Sequence, residues 1–264
     1  MKSSNTYFWA VRLFIAAAVS FVFFSSTIPA YGMFLIDRLV SNDDPAILFQ
    51  KGEYYFGGGA YDIDRAERYY EIVRRISNDT YPGARYQLSR IAFIKGELAK
   101  ALLEINAEIT QYPNFKRSYY VRGLIYAYQK NFVLAEKDFL EFLSWKKDSW
   151  AGWNDLAFVY FSQGDFDRAA AAAWSGLALF PENVWLNNSV GAALLNKGDY
   201  WRAVYYLEKA KEGVMRMSPL DWGAAYPGNN PLVYEEGLAA MKASIEGNLT
   251  KAKQRLQEAT EVRG

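Results

Sequence analysis

The sequence predicts an all-α fold, a solenoid of antiparallel helix hairpins, and three observations lead there. Ala101, Ala135, Ala169 and Ala203 recur every 34 residues. Other positions keep the same beat: Gly96, Gly164 and Gly198; Leu98, Phe132, Phe166 and Tyr200; Ser89, Gly123, Ala157 and Gly191. A fixed period of about 34 marks stacked helical hairpins, each burying its apolar face only against its neighbours. The third observation is composition. The chain is 51% apolar and 17% aromatic, which excludes a disordered chain and supplies a packed core.

The elements follow in order. Residues 1–12 form a short tail. Leu13 to Ile36 holds 24 residues without a charge, about 36 Å as a helix and long enough to span a bilayer. Phe8 and Trp9 precede it, where aromatic rings favour the membrane interface. Lys2 and Arg12 on its amino side predict a cytoplasmic N terminus and a carboxyl domain on the periplasmic or extracellular side. Pro29 and Gly32 interrupt its end, and a signal peptide cleaved near Ile28–Ala30 is the competing reading. The poor cleavage context and the apolar run through Ile36 favour an uncleaved anchor at 13–36. Residues 37–45 then serve as a linker.

The hairpins are expected over 47–79, 82–115, 116–149, 150–183 and 184–215. Each carries two helical stretches of about 14 residues and a short turn. The small residue of the first helix and the alanine of the second sit where the two cross closely. A larger side chain there would cost about 1–3 kcal/mol. The turn glycines suit a left-handed helix end, and Lys130 replaces that glycine in one unit. Pro113 and Pro181 close second helices. In the first unit Gly57-Gly58-Gly59 lacks the Lys-Ser/Thr pair and preceding strand of a phosphate loop and reads as a hairpin turn. After Ala203 the next matching alanine, Ala252, comes 49 residues on. An insert is therefore expected over 216–231 as a long loop, broken by Pro219, Pro227 and Pro231, with Trp222 and Tyr226 either contacting a ligand or packing over the array's end. A terminal hairpin over 232–262, from Leu232–Glu246 and Leu249–Glu261, would cap the stack with a polar face.

One unit carries a family resemblance. Trp153-Asn-Asp-Leu-Ala-Phe-Val-Tyr160, Gly164-Asp-Phe166, Ala169 and Phe180-Pro181 resemble a tetratricopeptide repeat. Val190-Gly191, Leu194, Gly198-Asp-Tyr200, Ala203 and Leu207 repeat the pattern, as do Tyr119, Gly123, Tyr126, Phe132, Ala135 and Phe139. Leu88-Ser89, Gly96, Leu98, Ala101, Ile105 and Pro113 give a fourth copy. The resemblance implies a right-handed superhelical solenoid of about six units, with the first helix of each unit lining a concave groove.

Mapped onto this chain, the family's groove positions are Tyr86, Arg90 and Phe93 in the second unit and Arg117, Tyr120, Leu124 and Tyr128 in the third. The fourth offers Asn154, Phe158 and Phe161, and the fifth Trp185, Asn188, Leu195 and Asn196. The implied surface is aromatic, with two arginines and no carboxylate. Aromatic and Arg side chains anchor interfaces, and Asn amides bond peptide backbone. An apolar peptide or helix fits that surface, with an acidic residue near Arg90 and Arg117. The Lys and Asn of the chaperone-tail clamp known in the family are absent, since Tyr86 and Arg90 stand at those positions.

Composition bounds the chemistry. There is no His and no Cys, so imidazole acid–base catalysis and thiol chemistry are excluded, and zinc sites become rare. No enzyme, cofactor or metal site is expected. With 30 basic and 29 acidic residues, net +1, nothing draws the chain to nucleic acid. The expected function is a membrane-anchored scaffold binding a protein or peptide partner in assembly of an envelope complex, with the bilayer contacted through 13–36. A periplasmic chaperone-like holdase and a non-catalytic subunit of a membrane enzyme complex are the alternatives. Self-association into a homo-oligomer through the aromatic surfaces is also open.

Overall fold

The computed structural model describes residues 44–225 and 228–261. The expected tail, the 13–36 anchor, most of the 37–45 linker and Tyr226 lie outside the described residues. No helix of the described residues is long and apolar enough to cross a membrane. Those residues contain helices and no strands. They divide into two compact units, and the division falls between Leu88 and Ser89.

The first unit opens with α1 (Pro45–Glu53), which begins inside the expected linker. The Asp44 carboxylate accepts from the Ala46 amide at 2.8 Å, and Pro45 has no amide to leave unsatisfied. The triple glycine does form the turn. Tyr54–Gly58 continues α1 as a single wide turn, kinked at Gly57, whose φ of 153° other residues avoid. Asp62 then caps α2 (Ile63–Ile76) through the Arg65 amide at 2.9 Å. Leu48, Tyr69, Ile72, Val73 and Ala84 form the core of this unit. Gly52 lies under the Tyr70 ring, where a Cβ would stand 2.6 Å from a ring carbon. Glu53 accepts from the Tyr70 hydroxyl at 2.5 Å and from the Gln87 amide. Gln87 lies on α3 (Ala84–Ile94), the helix that contains the division.

The second unit continues with α4 (Leu98–Gln111), α5 (Arg117–Tyr128), α6 (Phe132–Trp145), α7 (Trp150–Ser162), α8 (Phe166–Leu177), α9 (Val184–Lys197) and α10 (Tyr200–Arg216). The 34-residue beat is written into its hydrogen bonds. Backbone N–H groups of Glu97, Asn131, Asp165 and Asp199 donate to the carbonyls of Ala92, Tyr126, Tyr160 and Leu194, at 2.8, 2.8, 3.0 and 3.0 Å. Each bond closes a left-handed turn, with Gly96, Gly164 and Gly198 at φ 77°, 78° and 87° and Lys130 forced to 60°. The next helix starts at once. Asp165 and Asp199 cap α8 and α10 through the amides of Arg168 and Arg202.

The periodic small residues sit at the hairpin crossings. Ala101, Ala135, Ala169 and Ala203 are at most 1% exposed. A Cβ on Gly123 would stand 2.9 Å from the Phe139 ring, and one on Gly191 2.5 Å from Leu207. Ser89 uses its small hydroxyl to donate to the Ala101 carbonyl at 2.8 Å. Each helix from α4 to α10 packs on the next, and the first helices α5, α7 and α9 also meet in pairs. One apolar core runs through the stack from Ala127 to Ala252. Across one hairpin Arg122 makes a two-pronged pair with Asp138, at 2.6 and 2.8 Å, and Asp138 is 2% exposed.

Two expectations at the carboxyl end are corrected. The insert is not merely a loop. Ser218 and Asp221 cap each other's backbone and start α11 (Pro219–Ala224). The expected terminal hairpin 232–262 is one unbroken helix, α12 (Tyr234–Glu261), 28 residues long. Gly247 and Asn248, the expected turn, lie inside it, and Gly247 has nothing within 4 Å of a Cβ position. The surrounding Ala, Leu, Glu, Lys and Gln residues are strong helix formers, and α10 supplies a partner along the helix, covering Leu238, Ile245, Leu249 and Ala252. The short helix α11 locks onto α12 by two glycine–aromatic contacts. Gly223 lies under the Tyr234 ring, and Gly237 lies under the Trp222 ring.

Candidate functional site

The candidate surface is the row of first helices α5, α7 and α9, extended at one side by Phe93 of α3. Tyr86 belongs to the first unit, half-buried on the same helix, and Arg90 follows it in the second. The apolar part of the surface comes from two places. Tyr128 is 66% exposed and meets the Phe93 ring edge-on, centroids 4.9 Å apart. Phe158 on α7 is 50% exposed. Burial normally claims rings of this size, so their exposure marks a surface suited to contact. Arg117, the first residue of α5, is exposed as well.

Several expected groove residues serve packing instead. Leu124 and Phe161 lie against the core, and Phe161 packs edge-on against Phe166 at 5.3 Å. Leu195 is buried at 5% exposure, and Trp185 is drawn to Trp150 at 4.9 Å. The Asn196 side chain folds back onto the Ala192 carbonyl at 2.8 Å. Trp222 is held by Gly237 and by Tyr234, whose ring is 6.1 Å away, against a cluster that includes Val184, Val214 and Leu238. It therefore packs the end of the stack.

The polar part of the surface overturns the carboxylate-free expectation. The Tyr120 hydroxyl donates to Asp155 Oδ2 at 2.6 Å, from α5 to α7. The Asn154 amide donates to Asp155 Oδ1 at 3.3 Å, and Asn154 Oδ1 accepts from the Ser189 hydroxyl on α9 at 2.8 Å. Both inter-helix bonds join residues 35 apart, one more than the repeat. A helix residue thus meets its neighbour in the next first helix one position on. Tyr120 itself packs against Phe142 at 4.9 Å, which fixes where its hydroxyl points. Asp155 is a half-buried residue. Burial pushes its carboxyl up to about 6, against the downward pull of the Tyr120 and Asn154 hydrogen bonds. Asn188 is half-buried, and its Oδ1 is covered and has no hydrogen-bond partner among the described residues.

Sequence reasoning missed Asp155 and Ser189. The signal was present as the offset of 35 from Tyr120 and Asn154, but only the stacking of adjacent first helices gives that offset meaning. Chemically, the surface offers exposed aromatic area beside hydrogen-bond acceptors.

No family model matches the chain, and no curated protein does. Solved structures do match. The crystal structure of the MamA protein aligns with a TM-score of 0.56 at 20% identity, over 65% of this chain and 92% of that one. MamA 41-end from Desulfovibrio magneticus RS-1 aligns at 0.58 and 18% identity, over 66% of this chain and 98% of that one. A MamA RS-1 double mutant aligns at 0.57 and 18% identity, over 64% and 94%. At these identities the likeness is one of fold, and it supports a tetratricopeptide-type stack of helical hairpins.

Proposed function

We propose that the chain is a binding scaffold whose first-helix surface takes an apolar peptide or helix of a protein partner, without catalysis. One observation carries this reading. Phe158 and Tyr128, on neighbouring first helices, are 50% and 66% exposed beside a fully packed core. Aromatic side chains on a rigid support supply large contact area at small entropic cost. The lack of His and Cys supports a role in binding rather than chemistry. The uncharged run at 13–36 supports a membrane-held scaffold with its hairpins on the periplasmic or extracellular side, recruiting its partner into an envelope complex. Arg117 suits an acidic residue at one end of the bound segment.

Affinity purification of the full chain and of its Phe158→Ala, Tyr128→Ala double variant tests this. One stoichiometric partner, lost in the double variant, is the expected result. Many unrelated clients would favour a holdase, and a partner retained by the double variant would move the site elsewhere. Light scattering of the same samples reports self-association.

A further inference from the structure

The Asp155 carboxylate is an anion on the candidate surface whose hydrogen-bond donors are both neutral. Tyr120 and Asn154 supply one bond each, at 2.6 and 3.3 Å. Among the described residues no cation pairs with it. Carboxylates held in protein surroundings usually have one. The rest of the local network runs toward this group. Ser189 donates to Asn154, and Asn154 and Tyr120 donate to Asp155. Each carboxylate oxygen has lone pairs to spare.

One step along the row, acceptor capacity is again unused. Tyr120, Asn154 and Asn188 are 34 residues apart, and the first two each bond to a residue 35 ahead. The residue 35 beyond Asn188 is Gly223, which has no side chain and lies beneath Tyr234. The row ends there, and Asn188 Oδ1 is left covered and unbonded. Three residues after Asp155, the spacing that places side chains on one helix face, stands the half-exposed Phe158.

We propose that Asp155 is the specificity determinant of this surface and receives a lysine or arginine of the bound polypeptide, whose aliphatic stem lies over Phe158. A long basic side chain meets both halves of the site, since its stem is apolar and its head is a charged donor. A neutral donor would leave the anion uncompensated, and an acidic residue would be repelled. The inference rests on the binding reading above and adds to it the charge of the ligand. An acidic residue at Arg117 and a basic one at Asp155 would set the direction in which the segment lies.

The test is selection of a random 12-residue peptide library on the full chain, followed by a two-by-two comparison. Selected peptides should share a Lys or Arg among apolar residues. Asp155→Asn, and Lys/Arg→Gln in the peptide, should each weaken binding about tenfold, with little further loss when combined. Unchanged circular dichroism and a thermal midpoint no lower than the parent's certify that the variant is folded. Peptides that depend on Phe158 but lack a basic residue, or whose binding ignores Asp155→Asn, would overturn the charge assignment and leave the binding reading intact. Selection of no peptide sensitive to Phe158→Ala would overturn both.

Discussion

Tyr120 on α5 donates its hydroxyl to the Asp155 carboxylate on α7 across 2.6 Å, and the two residues are 35 apart in sequence. The bond joins consecutive hairpins on the surface proposed to bind, so one contact reports on both stability and recognition.

Its pH dependence has a definite sign. The Asp155 carboxyl is raised from 3.8 to about 6 in the folded chain, chiefly by burial. Between those values the folded state holds a proton that the unfolded state has lost, so stability falls as pH rises through this window and levels off above it. The penalty at neutral pH is about 2–3 kcal/mol at most. Asp155→Asn keeps an acceptor for Tyr120 and gives up the longer contact to Asn154. Urea unfolding should show the variant more stable than the parent at pH 7.5, with most of that advantage gone at pH 4.5.

The hairpin crossings should tolerate no added volume. A methyl on Gly191 would stand 2.5 Å from Leu207 Cγ and 3.3 Å from the Leu207 backbone nitrogen. Leu207 is 0% exposed and cannot move aside. Gly191→Ala should destabilise the second unit by about 1–3 kcal/mol, measured by chemical denaturation.

Gly247→Ala should act in the opposite direction. The position is exposed, helical and open on all sides. Alanine there should add up to about 1 kcal/mol. Had Gly247 formed the turn of a terminal hairpin, alanine would destabilise, so the sign of the change distinguishes one helix from two.

Lys130 holds φ at 60° in the one inter-helix turn of the series that lacks glycine. Lys130→Gly relieves the left-handed strain and should stabilise by about 1 kcal/mol, offset in part by greater freedom of the unfolded chain. A fall in thermal midpoint would contradict the turn geometry.

Much of the fold was legible because hairpin geometry and sequence share one period. The four glycine or lysine turns, the buried alanines and the close crossings at Gly123 and Gly191 all follow from the 34-residue beat. Legibility failed where the period stopped. Ser218 and Asp221 spell a helix start, but the prolines around them read as loop. Gly247-Asn248 reads as a turn until α10 is seen to cover both sides of it. Of the candidate surface, Tyr128 and Phe158 were legible as exposed aromatics because first-helix positions repeat. Leu124 occupies the position equivalent to Phe158, and Phe161 and Leu195 are equivalent to each other, yet all three pack into the core. Asp155 was invisible because its partner lies on another hairpin.

Phe158 is proposed to lie in a partner-binding surface. Site-specific photocrosslinking from position 158 of the full chain in its native cells tests it most directly. One discrete adduct with a single protein, lost when Tyr128 is also changed to alanine, is the expected result. No adduct, or one unaffected by the change at Tyr128, would contradict it.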